Sequence, residues 1–309
     1  MSEIRKVFTA STVLYLLLLG VLLYPFGNGR IYPLLAVGVT AAKAIQLIVR
    51  YFTKDEEKKK STDDILAVFF LAIFLWQLLC SARLGVISKL LFPEPDRVLR
   101  MFFSELPDMC AGLRNSLLLL VSGYILAMAT AIPLGILVGW HGRLHRLASP
   151  YARVLGPIPP IVYIPYAITL LPSFRSASIC VIFIGAFWPT FINTIHGVLN
   201  IPGRLIDSAR VLTIRKRTLL LRIILPGAMP SICVGAELSL LFSFLMLTAA
   251  ELIGANSGVG WYVRNFGDFG DYPRVISGLI FIGIMITVIT WGTGKLERRL
   301  LRWTDVKKS

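Results

Sequence analysis

Residues 116–140 and 275–294 form two long apolar runs without one charged side chain. A helix crosses the hydrocarbon core of a bilayer in about 20 apolar residues. Six more segments approach the same standard: 7–26, 31–51, 65–82, 154–173, 176–200 and 230–253. Segment 31–51 is weakened by Lys43. Segment 154–173 is broken by Pro157, Pro159, Pro160, Pro165 and Pro172, so it is expected to be irregular and internal, since freed backbone groups in a membrane need protein or a watery cavity around them. The chain-wide figures agree, with 56% hydrophobic and 16% charged residues over 309. Soluble domains carry roughly 45–50% and about 25%. The sequence therefore specifies an all-α membrane protein of about eight transmembrane helices.

Segment 7–26 follows Arg5 and Lys6, as a secretory signal would, but Tyr24-Pro25-Phe26-Gly27 offers no small-residue cleavage site. It reads as a retained span. Charge sets the orientation. With both termini inside, the inner segments hold 22 Lys and Arg and the outer ones 9, which is the positive-inside pattern. Both termini are thus expected in the cytoplasm, with the chain multi-pass in the cell membrane. Topology accounts for the net charge of +15, and no nucleic-acid partner is called for. The four cysteines, Cys80, Cys110, Cys180 and Cys233, show no paired spacing and suggest neither a metal site nor a disulfide.

The polar stretch 53–64, whose charges cancel, reads as a linker. It separates an N-terminal hairpin, residues 1–60, from a body of six spans, residues 61–309. On the outer side, Pro95 followed by Asp96 and Arg97 marks a helix start. Val98, Met101, Phe102 and Leu106 then recur at helical spacing, giving a short amphipathic helix at the interface.

The largest inner loop, 201–229, carries the strongest pattern. Pro202 opens a helix in which Leu205, Ala209 and Leu212 share one face. A polar break over Thr213–Arg217 follows, then a second short helix ending at Pro226. Both are too short to span and must bury their apolar face elsewhere. Periodicity and charge leave two readings open: a helix lying on anionic lipid, helped by Arg215, Lys216 and Arg217, or a surface that docks a protein.

The spacing in this loop resembles the EAA loop of ABC importer permeases, Glu-Ala-Ala, three residues, Gly, nine residues, Ile-x-Leu-Pro. Ala209, Ile223, Leu225 and Pro226 match in register, and Asp207 and Ser208 replace Glu and Ala. Thr213 stands where the pattern has Gly, which tolerates a positive φ that Thr resists. Further segments are similar to the nitrate/sulfonate/taurine permease group: Leu91–Leu99, Ile132–Gly139, Pro157–Pro165 and Ala250–Gly260. After Leu171 that group shows Phe-Gly, where this chain has Pro172. The likeness covers about 65–309. It implies a six-span type I ABC importer permease core, carrying an additional N-terminal two-helix hairpin. The implied partners are a cytoplasmic ABC ATPase dimer, a second permease copy or paralogue, an extracytoplasmic solute-binding protein and the lipid bilayer. The implied solute is a small anion such as nitrate, a sulfonate or taurine. In the loop, Leu205, Ala209, Leu212 and Ile214 would supply the apolar contact, with Asp207, Arg210 and Arg215 at its rim and Thr213 at the turn.

The chain has no G-x-x-x-x-G-K-[ST] phosphate loop; Gly292-Thr293-Gly294-Lys295 lacks the first Gly and the hydroxyl. ATP would be bound by a partner subunit, and this chain needs no cofactor of its own. His141 and His145 lie four apart with no carboxylate or Cys nearby, so a loop pair is the better reading than a metal site. Ionisable groups within spans are expensive and suggest function. Glu237 and Glu251 lie fourteen residues apart, on nearly one helical face. Glu251 is either a pathway group or an acceptor for the backbone of Asn256–Gly260. Glu237 would pair with Arg222 or line a cavity. Asn193, Ser243 and Thr248 would touch solute or serve helix packing. Lys43 would snorkel or pair between helices. The alternatives are a secondary transporter or channel without an ATPase, which predicts inverted repeats and midplane carboxylates, and a lipid-directed enzyme built on His141, His145 or Glu237. Neither signature is evident.

Overall fold

A computed structural model of the chain describes residues 10–23, 32–53, 55–80 and 91–301, with Arg210 described by its backbone alone. The ends of the first expected span, its Tyr24–Gly27 boundary and the stretch 81–90 lie outside the described residues. Every regular element among the described residues is helical. Six helices are long and apolar enough to cross a membrane, and two shorter apolar segments, Ala10–Leu23 and Pro160–Leu170, stand where the remaining two spans are expected.

The chain divides into two compact units, residues 1–107 with 265–279, and residues 108–264 with 280–309. In the first, helices α1 (Ala10–Leu23), α2 (Pro33–Phe52) and α3 (Glu56–Cys80) close on Leu18, Leu22, Leu35, Val39 and Phe70. The expected linker is in fact largely helix, because α3 begins at Glu56. Glu56 and Glu57 favour the positive end of the helix dipole, and Lys59 pairs with Glu56 at 2.7 Å one turn back. Asp63, also from that stretch, accepts hydrogen bonds from Gln46 and from Arg50, the latter at 3.1 Å. Lys43 does pair between helices, donating to Ser11 Oγ at 3.1 Å and Thr12 Oγ1 at 3.0 Å. The expected amphipathic helix is α4 (Pro95–Ser104). Its buried Asp96 accepts from the Leu35 backbone N–H at 3.3 Å and Arg100 Nε at 2.7 Å.

The second unit is organised by α8 (Phe174–Leu199) and α11 (Leu225–Gly254). Half of the apolar window of each is buried, against about a quarter for the other long helices, so these two form its centre. Polar groups join them: Thr190 Oγ1 and Ser239 Oγ are 2.7 Å apart, and Ser239 Oγ donates to the Ala186 carbonyl at 2.6 Å. Helix α5 (Leu106–Trp140) presents a stripe of Gly123, Ala127, Ala131, Gly135 and Gly139, all buried. A β-carbon added at Gly123 would lie 2.6 Å from Ile182 Cγ2, and one at Gly135 would lie 2.6 Å from Thr194 Cβ. Small residues four apart let two helix backbones approach, which is how helices associate where lipid supplies no hydrophobic drive.

The expected span 154–173 does not form as one helix. Helix α6 (Gly142–Leu155) ends inside it, a 3-10 turn occupies Pro160–Tyr163, and α7 (Ile164–Leu170) is seven residues long. Nor is it internal within this chain. Ile164 and Ala167 are buried, while Val162, Tyr166 and Leu170 on the other faces are exposed. Pro172 gives way at once to Ser173, which caps α8 by accepting the Ser176 N–H at 3.2 Å.

Candidate coupling elbow and outer clasp

The loop 201–229 folds as an elbow. Helix α9 (Gly203–Val211) ends in a Schellman turn in which the Ile214 N–H reaches the Ala209 carbonyl at 3.2 Å. That turn needs a residue in the left-handed region. Thr213 takes it, with φ of +48°. The residue at the glycine position of the EAA pattern therefore adopts the glycine conformation, although it is β-branched, and the register survives at a cost in strain. Arg215 then opens α10 (Lys216–Leu219), which runs through a π-turn at Leu220–Ile224 into α11. The Leu225 N–H bonds to the Leu220 carbonyl, five residues back. Pro226 has no N–H to give and crowds the preceding turn. A widened turn just before it keeps the helix continuous.

The elbow has two faces. Ala209 is 3% exposed and packs with Ile201, Leu219, Ile224 and Ala228 of its own chain, with Ile206 and Ile214 against them. Leu205 and Leu212 are exposed, Leu212 to 69%, and Val211 to 83%. The apolar set expected to face a partner thus splits: Ala209 and Ile214 are turned inward, and Leu205 and Leu212 are turned out. Sequence periodicity missed Ile206 as an inward residue and Val211 as an outward one. Asp207 and Arg215 lie on the exposed side. The Arg210 side chain lies outside the described residues.

At the other end of α11, Glu251 is 1% exposed. Its Oε1 accepts the Ser116 hydroxyl at 2.6 Å, and its Oε2 accepts the Gly260 N–H at 2.7 Å. Ser116 Oγ in turn accepts the Val259 N–H at 3.0 Å. This clasp explains the glycines that follow the glutamate. Gly258 has φ of +123°, and a β-carbon there would collide with the Glu251 carboxylate. At Gly260 one would lie 2.8 Å from Glu251 Cβ. Arg264 donates to the Leu252 and Ala255 carbonyls at 3.0 and 3.2 Å, capping the end of α11. Ser116 lies 135 residues from Glu251, and no local sequence signal points to the pair.

The other candidates divide. Asn193 Nδ2 donates to the Pro189 carbonyl at 2.8 Å, and Ser243 Oγ to the Ser239 carbonyl at 2.7 Å, so both serve their own helices. Thr248 is half-buried, with no side-chain partner among the described residues. Glu237 is exposed and forms no ion pair with Arg222 among the described residues; it lines a cavity of about 150 Å³ with Tyr124, Cys233, Thr293 and Glu297. His141 donates through Nδ1 to the Leu137 carbonyl at 3.0 Å, and His145 shares a 3.0 Å hydrogen bond with Ser149.

Six helices long and apolar enough to cross a membrane, with an elbow leading into the longest of them, mark an integral membrane protein. Residues 131–302 match the family of binding-protein-dependent transport system inner membrane components, and the chain belongs to it, as an integral inner-membrane permease subunit of an ABC importer in the nitrate/sulfonate/taurine group. Among its relatives, the nitrate import permease protein NrtB of Leptolyngbya laminosa is 29% identical over 75% of this chain and 85% of its own length. The taurine transport system permease protein TauC of Escherichia coli is 29% identical over 77% of this chain and 89% of its own. A Bacillus subtilis permease protein named for aliphatic sulfonates is 30% identical over 75% and 84%. The fold is similar to that of a chain of the inward-facing MetNI methionine ABC transporter. The two share 18% identity and a TM-score of 0.57, across 64% of this chain and 98% of the other.

Proposed function

We propose that the elbow at 201–229 is the part of this permease that a pair of cytoplasmic ATPase subunits grips, so that ATP hydrolysed there drives solute through the spans. The observation that carries the proposal is the elbow's division of labour. Its inner face, Ala209 with Ile206 and Ile214, packs against its own chain, while Leu205, Leu212 and Val211 are exposed among the described residues. Exposed apolar side chains beside Asp207 and Arg215 suit a protein cleft with a polar rim. Rigid-body motion of a docked helix is an established way to move domains. A second permease copy or paralogue completes the pathway, and an extracytoplasmic binding protein delivers the solute. The names of the relatives favour a small anion, of the nitrate, sulfonate or taurine kind. Thr248, with its hydroxyl unspent, and Glu237, on its small cavity, are the pathway candidates. Glu251 acts as a structural clasp rather than a gate.

Leu212→Asp tests the docking. The side chain is exposed, so the permease should insert at wild-type levels. Recovery of the ATPase subunits in co-purification should fall at least about tenfold, the scale of one buried apolar anchor. Undiminished ATPase recovery and uptake would overturn the proposal. Ala209→Arg is a poor test, because it would disrupt the elbow's own packing first.

A further inference from the structure

We infer that the N-terminal unit holds the phosphate head group of an anionic phospholipid of the inner leaflet, in a cavity between α1, α2 and α3. The cavity measures about 890 Å³, and Thr12, Tyr15, Thr40, Lys43, Arg50 and Lys59 supply its polar wall. Lys43 is 7% exposed. Its ammonium is met by the Ser11 and Thr12 hydroxyls, and no carboxylate lies within ion-pairing distance among the described residues. The hydroxyls accept its hydrogen bonds without neutralising its charge. A buried ammonium with no carboxylate in direct contact is costly in a protein and more so inside a bilayer, so an anion in the cavity would lower that cost. Asp63, the nearest acid in the network, is already engaged by Gln46 and Arg50.

The other cations converge on the same space. Arg50 lies two turns beyond Lys43 on α2, and Lys59 faces the cavity from α3. Among the described residues these three face two acids, Glu56, paired with Lys59, and Asp63, paired with Arg50, which leaves Lys43 as the cation with no carboxylate in contact. A lipid fits better than a soluble phosphate ester because the cavity is lined on its open side by Leu16 and Leu47, both about half exposed. Acyl chains would cover them, and a soluble anion would leave them bare. The Lys/Arg bias places residues 50–64 on the inner side, where anionic head groups meet basic pockets between spans. The inference does not depend on the elbow or on the solute carried.

The test uses the full-length chain, purified with its importer subunits. It is titrated with phosphatidylglycerol or phosphatidylcholine, and lipid retention is read by native mass spectrometry. A third arm adds inorganic phosphate at millimolar concentration. Phosphatidylglycerol should be retained at least about tenfold over phosphatidylcholine. Lys43→Met should reduce that preference about fivefold, and Lys59→Gln, at the cavity rim, by a comparable factor, the usual worth of one cation near anionic lipid. Equal retention of the two lipids, or a preference unchanged in both variants, would overturn the inference. So would displacement of the lipid by inorganic phosphate, which would assign the cavity to a soluble anion. If Lys43→Met fails to accumulate, Lys59→Gln decides the matter alone.

Discussion

Replacing Thr213 with Gly should stabilise this protein. Thr213 sits at φ of +48° in the turn between α9 and α10, where an L-residue costs about 1–2 kcal/mol and a β-branched one lies toward the upper end. Glycine removes that cost. It also loosens the unfolded chain, which takes back about 0.4–1 kcal/mol. The net gain is therefore about 1–1.5 kcal/mol, or an upward shift of a few degrees in melting temperature for a chain of this size. Thermal unfolding of the detergent-solubilised permease measures it, with Thr213→Pro as the opposing arm. Proline is held near φ of −65° and cannot make the turn, so it should lose the Ile214–Ala209 hydrogen bond and with it the elbow. Solute uptake should survive the glycine variant and fail in the proline one. A glycine variant that melts below wild type, alongside a proline variant that matches it, would refute the reasoning, since φ at 213 would then constrain nothing.

Other perturbations follow from the same geometry. Glu251→Gln keeps the shape but offers an amide N–H₂ to one of two donors, Ser116 Oγ–H or Gly260 N–H, leaving it unsatisfied; a loss of about 1–3 kcal/mol should appear as a lower melting temperature. Gly258→Ala should cost more than Glu251→Gln, because it adds strain at φ of +123° to a collision with the same carboxylate, and ranking the two melting temperatures checks this. Gly135→Leu places atoms where Thr194 already stands, so the yield of folded protein from membranes should collapse, whereas Leu134→Ala, on the exposed face of α5, should leave it near wild type.

The sequence foretold most of the helices, because a bilayer demands long apolar runs and these survive any tertiary arrangement. Its errors came where apolar content and helix extent part company. Residues 56–64 are charged and were expected as linker, yet they begin α3, because i,i+3 pairs and a buried partner for Asp63 sustain a helix there. In residues 154–173 the irregularity that the prolines imply is present, and it goes as far as leaving only a 3-10 turn and a seven-residue helix after α6. At the elbow, periodicity identified one apolar face, but nine residues of helix cannot say which edge of that face its own chain covers. Ala209 is buried because Leu219, Ile224 and Ala228 return beneath it, which only the fold decides. The Ala-Glu-x-Ile-Gly segment flagged Glu251, while its partner Ser116 had no reason to stand out among the many serines and threonines of the spans.

The elbow and the clasp occupy opposite ends of one helical run, Lys216–Gly254, 39 residues or roughly 58 Å at 1.5 Å each. Its interruptions all lie at the elbow end: the π-turn at Leu220–Ile224, Pro226 and Pro230. From Ser231 to Gly254 no proline intervenes, and the helix is fixed at its far end by Glu251 and Arg264. A lever that is compliant near the grip and stiff beyond it bends where it is driven and moves as one body elsewhere. On the proposed mechanism, force applied at Leu205 and Leu212 would be absorbed first by the widened turn and then reach the outer clasp through α11. Restoring a regular α-helical turn by deleting one residue of Leu220–Ile224 would rotate everything before it by about 100°, shifting Ala209 off Ile224 and Ala228 and turning Leu205 and Leu212 away from their direction of approach. That variant should insert and retain the Glu251 clasp, judged by its melting temperature, yet lose uptake and ATPase recovery together. Uptake that persists in it would mean that the π-turn plays no part in setting the elbow.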